Sequence, residues 1–256
     1  MSPKPPADWP APIEIINESG ANDIVLICEH ASNHIPAEYA SLGLEAAHLT
    51  RHIAWDIGAA AVTRALATKL DAPAFLGTYS RLLIDLNRPP GVPSSIPERS
   101  ESTDIPGNFG LSSAERERRR ELIFAPYHSR IAEHLTARER AGRNSRLVLI
   151  HSFTPVFFAE KRPWHAGVLY DSSQAFAEEI IARLSRENHL NVAANVPYVI
   201  SRDGDYAILV HGQDRGYPAI LIEVRQDLLV DGSGIAEWTE RLARALNPTG
   251  QINAAY

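Results

Sequence analysis

Short apolar runs alternate along the chain with segments whose apolar residues recur at helical spacing. DIVLIC (Asp23–Cys28), RLVLIHSF and AILIEVR read as strands buried on both faces, and AGVLY as a shorter one. APAFLGTYS and LLIDL read as two short extended runs, split near Ser80 and Arg81, and YAILV is a further apolar run near the end. AWDIGAAAVTRALATKL (Ala54–Leu70), AFAEEIIARLSREN and GIAEWTERLARAL carry the helical period. The segment from Ser113 to Ala141 reads as a charged amphipathic helix or helix pair with a break at Pro126, and AERERRRELI within it as a solvated face with i,i+4 ion pairs. This alternation predicts an α/β fold in one domain, a mostly parallel or mixed sheet with helices on both faces. NRPPGVPSSIPERSESTDIPGNFG (Asn87–Gly110) carries neither period and reads as a linker or an active-site loop.

Composition narrows the class. A chain of 256 residues can bury a full core, and a net charge of −6 offers no basic face for nucleic acid. The single cysteine, Cys28, closes an apolar run and reads as a buried, inert thiol that cannot form an internal disulfide. MSPKPPADWPAP has no apolar signal core, and no segment approaches the ~20 apolar residues of a membrane span. The expectation is a cytoplasmic protein with no membrane partner, a proline-rich surface or disordered arm over residues 1–20 and a single folded domain over 21–250.

Placed on that scaffold, the chemistry gathers at strand ends. His30 follows DIVLIC, Asn87 and Arg88 follow LLIDL, His151 follows RLVLI, and Glu223 and Arg225 lie in AILIEVR. The C-terminal edge of an open α/β sheet is where ligands bind. Two imidazoles and a carboxylate form the ligand set of many hydrolytic zinc sites. A further, non-ligand carboxylate is then needed to accept a proton from water and return it to the leaving amine. Glu223 suits that role, because burial between Ile222 and Val224 would raise its pKa. Arginines suit an acidic substrate, gripping a carboxylate bidentately.

The blocks CEHASNHIP, HIAWDIGA, SRLLIDLNRPP, PYHSRI, IHSFTP, NVPY, DGDYAILVHG and LIEVRQDL, in this order, resemble the N-formylglutamate amidohydrolase family. That family is in turn similar to the zinc carboxypeptidase and aspartoacylase group. The resemblance implies a zinc-carboxypeptidase-like (phosphorylase/hydrolase-like) fold and a divalent metal, Zn2+. It also implies hydrolysis of the amide of an N-acyl amino acid, most like N-formyl-L-glutamate to formate and glutamate. It makes His30 and His151 metal ligands. The group's His-x-x-Glu motif would place its second ligand at Asn33, a poor ligand for zinc, so Asp56 of the HIAWD block is the carboxylate expected instead, with Glu29 the alternative. Glu223 resembles the general base, and Asn87 and Arg88 the pair that holds a substrate carboxylate. Arg81 is expected as a second catalytic group, and Arg225, His128 and His211 as substrate or oxyanion contacts.

Blander readings hold elsewhere. Asp85 orders the arginines beside it, His34 is a bystander because Pro36 forbids the helix an HxxxH site needs, and Tyr198 and Tyr206 line core or pocket. No GxSxG or phosphate-loop pattern occurs. Two alternatives stay open: a carboxypeptidase-like or other N-acyl amino acid hydrolase on the same site, and a ligand-binding relative without catalysis, motivated by Asn33.

Overall fold

Strands that are apolar on both faces need cover on both sides. In the computed structural model, which describes Pro6 and residues 8–247, such strands form the middle of a seven-stranded sheet. In chain order the strands are β1 (Ile13–Ile16), β2 (Ile24–Cys28), β3 (Ala74–Gly77), the hairpin β4 (Arg99–Ser100) and β5 (Thr103–Asp104), and β6 (Arg146–Phe153). A second hairpin, β7 (Val156–Phe157) and β8 (Glu160–Lys161), precedes β9 (Ala166–Leu169), β10 (Val192–Ala194) and β11 (Ala219–Arg225). The large sheet runs β1-β3-β2-β6-β11-β9-β10. Its centre, β3-β2-β6-β11, is parallel, whereas β1 and β9 join it antiparallel, so the sheet is mixed.

Helices cover both faces, as the alternation predicts. They are α1 (Ala46–Leu49), α2 (Ala59–Leu70), α3 (Ser113–Arg119), α4 (Ala125–Arg140), α5 (Gln174–Leu184) and α6 (Gly232–Leu246). Leu26, Val148, Ile150, Ile220 and Ile222 pack under α2, α5 and α6, while Ile27, Phe75, Leu149 and Leu221 pack under α4. Each such fully buried side chain contributes about 1.5–3 kcal/mol relative to exposure. Among the described residues, no helix is long and apolar enough to cross a membrane.

Several local expectations change. LLIDL forms buried turns rather than a strand, with Leu83 N–H bonded to Ser80 O and Asp85 N–H to Ser95 O, because an apolar run buries as well in a turn as in a ladder. YAILV leads into a π-helix, Ile208–Gly212, and is not extended. Pro126 does not break its helix: a π-helical turn, Arg120–Phe124, lies between α3 and α4 and absorbs the loss of one backbone donor. The helix expected from Ala54 starts at Ala59, since Asp56 N–H is drawn to His30 O and Gly58 stands at φ +81. The proline-rich arm is built into the fold where it is described. Ile13–Ile16 pairs with β3, and Trp9 is buried between Tyr39 and Tyr79. Residues 1–5, 7 and 248–250 of the two expected regions lie outside the described residues.

The long Asn87–Gly110 loop is stapled down. Asn108 Nδ2 donates to Leu82 O at 2.8 Å and to Pro97 O at 2.7 Å, and its Oδ1 accepts from the fully buried Arg119 at 2.8 Å. Asn108→Ala leaves the Leu82 and Pro97 carbonyls without this donor and Arg119 Nη1 with only the Leu83 carbonyl, and we expect a loss of about 2–4 kcal/mol in urea unfolding. A loss below about 0.5 kcal/mol would show that the staple does not hold the loop.

Candidate active site

Three strand ends and the turns that carry Asp56 and Arg81–Asp85 bring the polar groups together at the C-terminal edge of the parallel strands. Glu223 and His151 are direct partners across the β6–β11 ladder, so both side chains leave the same face of the sheet. Glu29 and His30 follow β2, and the backbone can pass there because Gly77 has no side chain: a Cβ would lie 2.2 Å from Glu29 O. Asp56 is fixed from both ends, its N–H donating to His30 O at 2.9 Å and its Oδ2 accepting from Ser152 N–H at 3.2 Å.

The two imidazoles are oriented from behind. His30 Nε2 lies 2.7 Å from Asp85 Oδ1, and His151 Nε2 lies 2.9 Å from Glu29 Oε2. A carboxylate can only accept, so both Nε2 atoms carry protons and both Nδ1 atoms face forward. There they meet Asp56 Oδ2, at 3.5 Å from His30 and 3.2 Å from His151. His30 Nδ1 is buried and has no hydrogen-bond partner. One ligand atom from each of His30, Asp56 and His151 falls within 4.8 Å of the others. A buried orphan lone pair beside a second imidazole and a carboxylate fits a divalent cation, and the carboxylates behind the rings fix tautomer and raise ligand basicity.

Electrostatics agree with that geometry. Burial opposes the charge on Asp56, but His30 and His151 outweigh it and hold the carboxyl far below its usual range. Burial likewise opposes a charge on His151, yet Glu29 and Asp56 hold that ring well above the usual imidazole range, the balance expected of a place built for positive charge. Arg81 bridges the two aspartates, with Nε and Nη2 on Asp85 Oδ2 at 3.1 and 2.9 Å and Nη1 on Asp56 Oδ1 at 3.3 Å. Glu223 faces the same space with a buried, unpartnered Oε2. Burial pushes its carboxyl up to about 7, against the pull of His151.

A cavity of about 410 Å³ opens in front of these groups. It is lined by His30, Asp56, His151, Glu223, Arg81, Asn87 and Arg88, so these seven expected residues share one site. Asn87 has little left for a ligand: its Oδ1 accepts from Tyr206 and Ala207 N–H, and its Nδ2 donates to Asp205. Arg88 Nη1 is held by the Gly204 and Asn87 carbonyls, which leaves the Nε–Nη2 edge without a partner among the described residues.

Three expected substrate contacts do not line the cavity. Arg225 turns to Asp227 and to the carbonyls of Arg162 and Trp164. His128 and His211 are buried and bonded to each other at 2.9 Å, with His128 also on Leu86 O. Of the two carboxylates considered for the metal, Asp56 faces both rings and Glu29 lies behind His151; the Asn33 amide donates to Leu49 O.

The side walls were only partly legible. The β4–β5 hairpin presents Arg99 and Ser100, and Glu101 at its turn adopts φ +51 with its carboxylate held by Arg51 at 2.9 Å. Opposite stands Tyr198, whose hydroxyl accepts from Arg162 at 3.0 Å. Gly167 makes this wall possible, because a Cβ there would lie 1.7 Å from Val196 O. NVPY hinted at Tyr198, but nothing in the sequence marked isolated Arg162 or Glu101.

Residues 22–230 match the N-formylglutamate amidohydrolase family. A gene product of Agrobacterium tumefaciens is similar in structure, with a TM-score of 0.87 and 37% identity, over 93% of this chain and 95% of that one. The N-formylglutamate amidohydrolase of Ralstonia eutropha aligns with a TM-score of 0.65 and 20% identity, over 92% and 95%. No curated protein matches the sequence significantly.

The His128–His211 pair gives a pH signature. Burial and neighbouring positive charge push His211 down from about 6.5 to about 4, and His128 is likewise well below its usual value. The unfolded chain therefore takes up these protons first, so the stabilisation is complete above pH ~6.5 and is lost as pH falls from there towards 4. We expect His211→Gln to flatten the decline in unfolding free energy between pH 6.5 and 4.5. An unchanged slope would mean that the pair does not titrate differently in the folded state.

Proposed function

The chain belongs to the N-formylglutamate amidohydrolase family, and on that footing we propose that it hydrolyses the amide of N-formyl-L-glutamate with a divalent metal, Zn2+, at its centre. The observation that carries this reading is the convergence of His30 Nδ1, His151 Nδ1 and Asp56 on one point, in a cavity that also holds a spare buried carboxylate. Those three residues would hold the ion, with Glu29 and Asp85 keeping the rings in place. When bound, such an ion acts as a Lewis acid on the acyl oxygen and lowers the pKa of water.

The remaining work falls to side chains of the chain itself. Glu223 Oε2, unpartnered and with its affinity for a proton raised by burial, accepts a proton from the attacking water and returns it to the amine nitrogen. The new bond joins the water oxygen to the formyl carbon, and the C–N bond breaks to give formate and glutamate. Arg88 offers its Nε–Nη2 edge to a substrate carboxylate, a geometry suited to paired hydrogen bonds. Arg81 keeps Asp56 and Asp85 in place and adds positive charge beside the developing oxyanion. Asn87 acts one step back, tying the Arg88 segment to Tyr206 and Ala207.

Two outcomes follow. Glu223→Gln is expected to lower kcat by about 10²–10⁴-fold while bound zinc stays at the wild-type ratio. Activity within threefold of wild type would remove Glu223 from the mechanism. Arg88→Met is expected to raise KM for N-formyl-L-glutamate by at least tenfold, with the Tm little altered. An unchanged KM would move the carboxylate contact elsewhere, and a panel of formyl, acetyl and peptidyl amino acids would show which acyl group the cavity accepts.

A further inference from the structure

His128 and His211 stand outside the cavity, yet both are buried and neither is idle. His128 Nε2 lies 2.8 Å from Leu86 O, which can only accept, so that nitrogen carries the proton and His128 Nδ1 must accept. His211 Nε2, 2.9 Å away, is then the donor. The hydrogen bonds run one way, from His211 to His128 to the Leu86 carbonyl. The rings cannot easily turn aside: Phe124 lies 4.3 Å and Tyr206 4.6 Å from the His128 ring centroid.

Leu86 sits between two residues that matter to the cavity. Asp85 holds His30 Nε2 and Arg81, and its Oδ1 also accepts from Asn87 N–H at 2.8 Å. Asn87 in turn bonds the N–H groups of Tyr206 and Ala207, immediately before the π-helix Ile208–Gly212 that carries His211. The Asp85–Arg88 segment is thus gripped twice by the same element, through Asn87 directly and through the histidine pair at Leu86. No strand ladder holds this segment, since LLIDL is not extended. Side-chain bonds must supply the rigidity that a sheet would otherwise give.

We propose that His128 and His211 are positioning residues: their hydrogen-bonded pair fixes the Leu86 carbonyl, and thereby keeps Asp85 against His30 and Arg88 at the cavity wall. The link to metal binding rests on the function proposed above; the link to the Asp85–Arg88 backbone does not.

The test compares three variants of the full chain. His128→Leu removes both ring hydrogen bonds. His128→Gln can still donate to Leu86 and accept from His211. Ile180→Ala, in α5 on the opposite face of the sheet, destabilises the core without touching the segment. Hydrogen exchange of residues 85–88 in the metal-free chain is expected to quicken at least tenfold in His128→Leu, and to stay near wild type in the other two. Zn2+ titration is expected to show affinity weakened about 10- to 100-fold in His128→Leu alone, the range for loss of a group supporting a metal ligand. Unchanged exchange at 85–88 in His128→Leu, or an equal effect in Ile180→Ala, would overturn the proposal. Wild-type chain that binds no Zn2+ would remove the metal reading, while the exchange data would still decide the role of the pair.

Discussion

The structure depends on the mutual compensation of ionisable groups buried at one sheet edge. Asp56, Asp85, Glu29, His30, His151 and Glu223 are all nearly or fully removed from solvent within one cluster. Burying an isolated charge costs several kcal/mol even after relaxation, so such a cluster persists only if its members pair and hydrogen-bond. Here Asp85 serves His30 and Arg81, Glu29 serves His151, and Asp56 serves both rings. Three atoms of the cluster stay unpaired, Glu29 Oε1, His30 Nδ1 and Glu223 Oε2, and the last two face the space where the proposed cation and proton transfer would lie.

The sheet makes this compensation possible by register. Pairing β6 with β11 in parallel puts His151 opposite Glu223, and the end of β2 supplies Glu29 and His30. A slip of one residue would send either side chain to the other face, under α2, α5 and α6. The apolar strands therefore do more than close a core. They set which carboxylate lies in front of the imidazoles and which lies behind.

Much of this was legible because buried parallel strands announce themselves. IVLIC, RLVLIHSF and AILIEVR pointed to the sheet, and the polar residues at their ends pointed to the site. Asp56 was reachable only through the HIAWD block, since neither helical nor strand period places a turn residue beside two strand ends. LLIDL misled because apolarity records burial and not backbone shape. His128 and His211 misled for a related reason: a histidine motif does not say whether its ring faces a cavity or a backbone carbonyl. The exchange between Asp85 and His30, like the grip of Arg162 on Tyr198, joins residues far apart in sequence and leaves no local signal.

We propose that hydrolysis of N-formyl-L-glutamate requires one metal ion held by His30, Asp56 and His151. The most direct measurement strips the purified chain with a chelator and titrates Zn2+ back while following release of formate. Turnover is expected to vanish on stripping and to return in full at one equivalent of Zn2+, with no return in Asp56→Ala. Undiminished turnover by the stripped chain would contradict it.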